Sequence, residues 1–377
     1  MPSISPFCLA VPQSDLDDLR RRLDLTRLPE PATTPGWEQG VPMQQLSALV
    51  NHWKTAYSWR RCEETLNSLG QYRTNIDGLD IHFLHIPSRH DDALPMIMTH
   101  GWPGSVIEFL KVIAPLTDPI AHGGTARDAF HLVLPTLPGF GFSEKPTHSG
   151  WGIERIAKAW AELMSRLGYS NYVAQGGDWG SAVTVQLGAQ RAPGLMGIHL
   201  NMLSLLPPEL SQPLSEDEQA ALLSHQYYEQ VESGYAHEQA TRPQTLGYAL
   251  ADSPAGQAAW IYEKFRNWSD CNGDPETIFT LDEMLDNIML YWLPNTAASS
   301  GRLYFESLAD FGATRVEVPV GASLFPKEIF ATPRSWADRV FPNIIYWNKP
   351  LKGGHFAAFE QPLLFVDELR RCFRHMR

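Results

Sequence analysis

Strand-like and helix-like segments alternate along the middle of the chain, between residues 96 and 203. Short apolar runs typical of buried strands are separated by longer segments with helical periodicity. The predicted strands are 96–99, 131–134, 171–174 and 197–200, and the predicted helices lie near 106–113, 153–167 and 181–190. Because parallel strands are joined by crossover connections of this kind, the pattern predicts an α/β fold, with a mostly parallel sheet flanked by helices.

The segments on either side of this region divide the chain into four predicted parts. Residues 1–75 contain three amphipathic helical pieces, and a hairpin over 72–76 and 79–86 turns at Asp77-Gly78. Residues 205–305 are helical and rich in aromatic side chains, after which strands 317–324 and 343–347 and a last helix over 362–374 follow. A helical insertion after the sixth predicted strand is typical of the α/β-hydrolase fold with a lid. The predicted parts are an N-terminal segment (1–75), a first core part (76–204), the lid (205–305) and a second core part (306–377).

Composition excludes several classes of partner. The formal net charge is −12 and no basic run interrupts the acidic balance, so neither nucleic acid nor an anionic membrane surface is an expected partner. The four cysteines are scattered without metal-ligand spacing, which predicts free thiols and no metal site. The apolar run at 7–11 is too short for a signal peptide or a membrane anchor. We therefore expect a cytoplasmic protein.

The stretch QGGDWGSAV, residues 175–183, predicts a strand, a tight turn and a helix. Gly176 and Gly180 flank Asp178 as they would flank the serine of a G-x-S-x-G nucleophile elbow. A carboxylate is ionised at neutral pH, so it can attack saturated carbon without a base and form an alkyl ester. Substrates that suit this chemistry are epoxides and alkyl halides, whereas serine-type ester hydrolysis does not fit.

Two further loops supply the groups that such an enzyme needs. HGWPGS follows the predicted strand 96–99, and we predict that the backbone N–H groups of Trp102 and Trp179 form an oxyanion hole. KGGHFAAFE supplies His355 between a strand and the last helix, which is the position expected of the base. His100 is a rival for the base, but its place beside the oxyanion loop favours a structural role.

The acid that orients the base is harder to predict. After strand 197–200 no carboxylate occurs until Glu209, whereas Glu328 follows strand 317–324 closely. Spacing therefore favours Glu328, with Asp310 and Asp338 as the alternatives.

Lid aromatics bear on the substrate. An opening epoxide needs a proton, which a lid tyrosine could donate, but the residues alone leave open which of the seven tyrosines, if any, point into the pocket. The lid aromatics Trp260, Phe265, Trp268, Tyr291 and Trp292 predict an apolar pocket suited to lipophilic epoxides. Trp102, Trp179 and Trp292 are the predicted substrate contacts.

Several long stretches resemble the microsomal-type epoxide hydrolases, the group that includes juvenile hormone epoxide hydrolases. The matching stretches are HGWPGS, GGDWGS, ESGYAHEQATRPQTLGYALADSPAGQAAWI, NIMLYW, SSGRLYFES, VPVGASLFPKEIF and KGGHFAAFEQP. The resemblance implies that Asp178 is the nucleophile, His355 the base and Glu328 the acid, and that Tyr235 and Tyr304 donate to the epoxide oxygen. It also implies that the N-terminal segment wraps the core and braces the lid.

This interpretation predicts an epoxide hydrolase that needs only a small epoxide and water, without a cofactor. Three alternatives remain: a haloalkane dehalogenase, an ester hydrolase or lyase of the same fold, and a non-catalytic binding protein. Trp102 counts against the dehalogenase, since that family typically places an N–H side chain such as asparagine after His-Gly. The missing elbow serine counts against the ester hydrolase. The sequence leaves open whether the protein forms a homodimer through the N-terminal segment or the lid.

Overall fold

The computed structural model describes residues 3–206, 209, 213–312 and 314–377, so 207, 208 and 210–212 of the predicted lid lie outside the described residues. Its N-terminal part consists of a short strand, three helices and a hairpin. These elements are β1 (Ser5–Pro6), α1 (Gln13–Asp24), α2 (Met43–Thr55), α3 (Trp59–Asn67), β2 (Gln71–Ile76) and β3 (Leu79–Ile86). The hairpin turns at Asp77-Gly78, as predicted, and both turn residues have positive φ.

The alternating core then follows. Its elements are β4 (Leu94–Thr99), α4 (Leu110–Thr117), β5 (Phe130–Pro135), α5 (Ile153–Arg166), β6 (Tyr172–Gly176), α6 (Asp178–Ala189) and β7 (Leu195–Leu200). A 3-10 turn over Val106–Phe109 leads into α4. Helix α6 begins at Asp178, three residues before the predicted start, so the elbow residue itself belongs to the first helical turn.

The insertion that follows β7 is helical. Its α-helices are α7 (Glu216–Tyr227), α8 (Gly234–Thr241), α9 (Pro243–Asp252), α10 (Pro254–Asn267), α11 (Leu281–Trp292) and α12 (Ala297–Ser307). A π-helical turn over Tyr228–Glu232 joins α7 to α8. No strand occurs among the described residues of this insertion.

The chain returns to the sheet through β8 (Val320–Ser323), α13 (Arg334–Val340), β9 (Ile344–Asn348), α14 (Ala357–Glu360) and α15 (Pro362–Phe373). Strand β8 is shorter than the predicted 317–324. Proline has no backbone N–H to donate, so regular pairing starts only after Pro319.

Within the described residues the nine strands form one sheet in the order β1-β2-β3-β5-β4-β6-β7-β8-β9. Strands β4 to β9 are parallel to one another, and β1 to β3 are antiparallel additions at one edge. This arrangement confirms the predicted α/β-hydrolase fold with a mostly parallel sheet and a helical insertion. If the two-residue β1 is left out of the count, the insertion follows the sixth strand, as predicted.

The N-terminal helices contact the insertion through charged groups. Arg61 of α3 donates to both carboxylate oxygens of Asp286 on α11, at 2.8 and 2.7 Å, and the Tyr57 hydroxyl donates to the same side chain at 2.8 Å. His52 lies 2.7 Å from Asp282, one turn earlier on α11. None of the helices in the described residues is long and apolar enough to cross a membrane.

Candidate active site

Asp178 stands at the junction of β6 and α6 in a conformation that non-glycine residues rarely adopt. Its φ is +49°, in the left-handed region, and the strained turn presents the side chain beyond the end of the strand. Two close approaches make this turn possible. A Cβ on Gly180 would lie 1.9 Å from the Thr99 carbonyl oxygen, and one on Gly101 would lie 2.1 Å from Asp178 Oδ1. Both positions therefore require glycine.

One of the two backbone groups predicted as an oxyanion hole contacts the Asp178 carboxylate directly. The Trp102 N–H donates to Asp178 Oδ1 at 2.8 Å. The Trp179 N–H lies in the first turn of α6, where backbone donors have no acceptor within the helix. A helix N-terminus also carries partial positive charge, which favours a negatively charged oxygen at this place.

Helix α11 of the insertion holds the loop that carries Trp102. The Asn287 side chain donates to the Pro103 carbonyl at 2.7 Å and accepts from the Ser105 hydroxyl at 2.7 Å. The Tyr291 hydroxyl donates to the Gly104 carbonyl at 2.6 Å. Tyr291 thus braces the loop and does not line the cavity at Asp178 that is described below.

His355 lies between two carboxylates. Its Nε2 is 3.4 Å from Asp178 Oδ2, and its Nδ1 is 2.7 Å from Glu328 Oε1. Burial alone would lower the pKa of His355, but the charges of Glu328 and Asp178 hold that pKa well above its usual value. The side chains predicted as nucleophile, base and acid thus contact one another in the order Asp178, His355, Glu328.

Local contacts fix the loop that carries His355. Lys327 and Gly354 form a parallel β-bridge, which joins the Glu328 segment to the His355 segment. The buried Glu360 carboxylate accepts from the N–H groups of Gly354 and Phe356, both at 3.0 Å. Burial raises the pKa of Glu360 to about 7.

The alternatives for base and acid do not take part in the contacts between Asp178, His355 and Glu328, although His100 lies close to Asp178 and lines a small cavity with it. His100 Nε2 accepts from the Leu137 N–H at 3.3 Å, and its Nδ1 is 2.9 Å from the Gly101 carbonyl, which is a structural position. Asp310 ends a 3-10 turn on the surface, and Asp338 pairs with Arg334 on α13.

Tyr235 and Tyr304 meet above the elbow. The Tyr235 ring stacks on Trp102 with centroids 5.0 Å apart, and the Tyr304 ring packs edge-on against Trp179 at 4.8 Å. The two tyrosine rings lie 5.8 Å apart. Burial raises the pKa of both hydroxyls well above the usual value, and the negative charge of Asp178 raises both pKa values further. Both phenols therefore remain protonated at neutral pH.

A cavity of about 330 Å³ opens at Asp178 between the core and the insertion. Its apolar lining comes from both parts of the chain: Trp179, Met202, Ala236, Leu308, Phe311, Ile329 and Phe330. Two polar lining residues, Glu229 and His237, are solvent-exposed. The cavity has room for a small apolar molecule with one end near solvent.

The prediction for Trp292 needs correction. This residue does not line the cavity; its ring lies 6.0 Å from the guanidinium of Arg22, on the side of α11 that faces the N-terminal helices. Trp260, Phe265 and Tyr291 are likewise absent from the cavity wall, and Trp268 packs behind Tyr235 at 5.1 Å. Helical periodicity marks these side chains as buried but does not tell packing from pocket.

Two residues near the site were not singled out from the sequence. The Tyr228 hydroxyl lies 3.0 Å from the Tyr235 hydroxyl, and the residue lines the 330 Å³ cavity at Asp178. Glu108 lines a second cavity of about 20 Å³, together with Asp178 and His355. That volume suffices for one water molecule. Burial raises the pKa of Glu108 to about 8. Among the described residues no cluster of three or more His, Cys, Asp or Glu side chains is arranged to hold a metal ion.

The sheet order, the strained residue at the elbow and the helical insertion define a protein of the α/β-hydrolase class. A family model described as "alpha/beta hydrolase fold" matches residues 95–245, and one described as "Epoxide hydrolase N terminus" matches residues 4–109. The chain belongs to the epoxide hydrolase family and is an epoxide hydrolase.

Relatives and solved structures agree with this assignment. A protein of Stigmatella aurantiaca (strain DW4/3-1) named "Putative epoxide hydrolase" is 59% identical over 99% of this chain and 86% of its own length. "Epoxide hydrolase 1" of Sus scrofa is 36% identical over 98% of this chain and 88% of its own. The crystal structure of juvenile hormone epoxide hydrolase from Bombyx mori superposes with a TM-score of 0.91 at 30% identity, covering 100% of this chain and 95% of that one. The Aspergillus niger epoxide hydrolase gives 0.89 at 32% identity, with 100% and 97% coverage.

Proposed function

We propose that this enzyme opens lipophilic epoxides to vicinal diols through a covalent ester on Asp178. The observation that carries the proposal is the position of the Asp178 carboxylate. It faces the cavity, with one oxygen 2.8 Å from the Trp102 N–H and the other 3.4 Å from His355. In the first step a carboxylate oxygen attacks an epoxide carbon and the carbon–oxygen bond of the ring breaks.

The epoxide oxygen receives the electron pair of the broken bond and needs a proton. Tyr235 and Tyr304 line the same cavity as Asp178, and their raised pKa values keep their hydroxyls protonated. In our proposal both donate hydrogen bonds to the epoxide oxygen and one of them gives up its proton. A departing halide would need no proton, so this pair of phenols favours epoxides over alkyl halides.

Ester formation changes the state of His355. Once Asp178 is esterified its negative charge is gone, and the imidazolium loses one of the two charges that raise its pKa. The proton is released and restores the phenol. Neutral His355, oriented by Glu328, then takes a proton from the water that attacks the ester carbonyl. The N–H groups of Trp102 and Trp179 stabilise the oxyanion of that carbonyl.

The small cavity beside Glu108 is our proposed place for the hydrolytic water. It borders Asp178 and His355, so a water molecule there is within reach of both the ester carbonyl and the base. When the tetrahedral intermediate collapses, the diol leaves with one proton of this water, the other stays on His355, and the Asp178 carboxylate is restored.

The apolar cavity wall supports epoxides with an aryl, terpene or alkyl group, with Trp179 beside the reacting carbon. Trp102, the other predicted contact in the core, lines the small cavity instead and stacks on Tyr235. The test is a panel of racemic epoxides and matched alkyl bromides given to the purified enzyme, with diols measured by chiral chromatography and bromide by ion chromatography. We expect diol without bromide, and no diol from Asp178→Asn. Bromide release at a comparable rate would contradict the proposal.

A further inference from the structure

Tyr228 is the third tyrosine that lines the cavity at Asp178. It lies on the π-helical turn between α7 and α8, with its oxygen 3.0 Å from that of Tyr235. Its ring packs edge-on against Phe330 at 4.9 Å, and the side chain is buried. Tyr227, its neighbour along the chain, is 59% exposed.

We propose that Tyr228 is a positioning residue that makes Tyr235 the proton donor of the pair, by donating a hydrogen bond to the Tyr235 oxygen. The inference rests on the proposed function. A phenol has one proton, so if Tyr235 directs its own to the epoxide, the short contact between the two hydroxyls requires Tyr228 to be the donor. That direction is the one that stabilises negative charge on Tyr235.

A buried cation also lies beside Tyr235. The ammonium group of Lys264 on α10 is paired with Glu263, and its nitrogen lies 4.6 Å from the centroid of the Tyr235 ring. A positive charge at this distance favours the tyrosinate form. The negative charge of Asp178 raises the pKa of both hydroxyls, so it does not distinguish Tyr235 from Tyr304. In our proposal the hydrogen bond from Tyr228 selects Tyr235 as the proton donor, and Tyr304 serves as a hydrogen-bond donor.

The step balances as follows. An Asp178 oxygen forms a bond to the epoxide carbon, the ring carbon–oxygen bond breaks, and its electron pair stays on the epoxide oxygen. That oxygen takes the proton of Tyr235, whose own oxygen becomes negative and accepts the hydrogen bond from Tyr228. Nothing is oxidised or reduced.

Tyr228→Phe removes only the hydroxyl, and Tyr227→Phe makes the same change at the exposed neighbour as the matched control. Hydrogen bonds to charged groups contribute about 1.5–3 kcal/mol, so Tyr228→Phe should slow alkylation of Asp178 by roughly 10- to 100-fold. Ester hydrolysis should keep its rate, because the acid pair acts in the first step. Single-turnover measurements with quenched-flow mass spectrometry separate the two rates.

Two readouts distinguish this role from a merely structural one. The alkoxide from 3,3,3-trifluoro-1,2-epoxypropane is much less basic than that from 1,2-epoxypropane, so it depends less on a proton donor. Tyr228→Phe should therefore slow alkylation by the trifluoro compound less. In a Tyr235→Phe background, Tyr228→Phe should cause no further slowing.

Equal slowing with both epoxides, additive effects in the double variant, or alkylation by Tyr228→Phe at the wild-type rate would each overturn the inference. A wild-type enzyme that forms diol without any Asp178 adduct would instead overturn the proposed function. The two failures are therefore distinguishable in the same experiment.

Discussion

Nε2 of His355 lies 3.4 Å from Oδ2 of Asp178, so the proposed base touches the proposed nucleophile before any substrate is present. Glu328 contacts the opposite nitrogen of the same ring at 2.7 Å. The two carboxylates oppose the effect of burial and together raise the pKa of His355. In our account this contact links the charge of Asp178 to the protonation of His355, and alkylation of Asp178 switches the imidazole from acid to base.

The first prediction concerns that link. Asp178→Asn removes one of the two negative charges, so the pKa of His355 should fall and the imidazole should lose its proton at lower pH than in the wild type. NMR titration of ¹⁵N-labelled histidines measures this directly, and the exposed His148 serves as the internal control. A His355 titration identical in both proteins would contradict the coupling.

The second prediction concerns the order of steps. His355→Gln leaves the Asp178 carboxylate in place but removes the base for hydrolysis, so the ester should form and persist. Intact mass after mixing with styrene oxide should equal protein plus one substrate. The double variant with Asp178→Asn should show no adduct. An unshifted mass together with retained turnover would rule out this role for His355.

The third prediction concerns the tyrosine pair. Because two hydroxyls share one oxygen, Tyr235→Phe and Tyr304→Phe should each slow alkylation by roughly 10²-fold, and the double variant should be nearly inactive. The exposed Tyr248 provides the control substitution. Normal alkylation by the double variant would remove both residues from the mechanism.

The fourth prediction concerns Glu108. Its pKa is raised to about 8, mainly by burial, so the carboxyl is neutral at pH 7 and becomes charged as the pH rises through that value. A charge beside the developing oxyanion opposes hydrolysis, so the wild-type hydrolysis rate should fall above pH 8. Glu108→Gln should remove this fall and leave alkylation unchanged.

Glu216→Gln, at an exposed position in the first turn of α7, is the control for Glu108→Gln. A pH profile of hydrolysis that is the same in wild type and Glu108→Gln would contradict the proposed position of the water.

The sequence predicted the fold well because the elbow and the sheet depend on local signals. Strand, glycine turn and helix follow one another around Asp178, and short apolar runs separated by helical segments mark β4 to β7. The start of β8 was missed because the apolar pattern continues through Pro319, which has no N–H to donate.

Side chains on the helical insertion were less predictable. Trp292 and Tyr228 are both aromatic residues at the end of a helix or beside it, yet one faces the N-terminal helices and the other faces the cavity. Their directions depend on how the insertion packs on the core, and a π-helical turn shifts the helical phase just at Tyr228. Glu108 was missed because a glutamate in the first turn of a helix is ordinarily a capping residue. Glu108 does cap the turn that begins after Ser105, in addition to lining the small cavity.

The most direct test of the covalent mechanism is a single turnover in ¹⁸O-labelled water with enzyme in excess over epoxide. If Asp178 is the nucleophile, the oxygen added to the substrate comes from its carboxylate, and the water oxygen enters that carboxylate when the ester is hydrolysed. We expect mostly unlabelled diol and an ¹⁸O label in the peptide that contains residues 175–183. Fully labelled diol in the first turnover, with an unlabelled Asp178, would mean that water attacks the epoxide directly and would contradict the account.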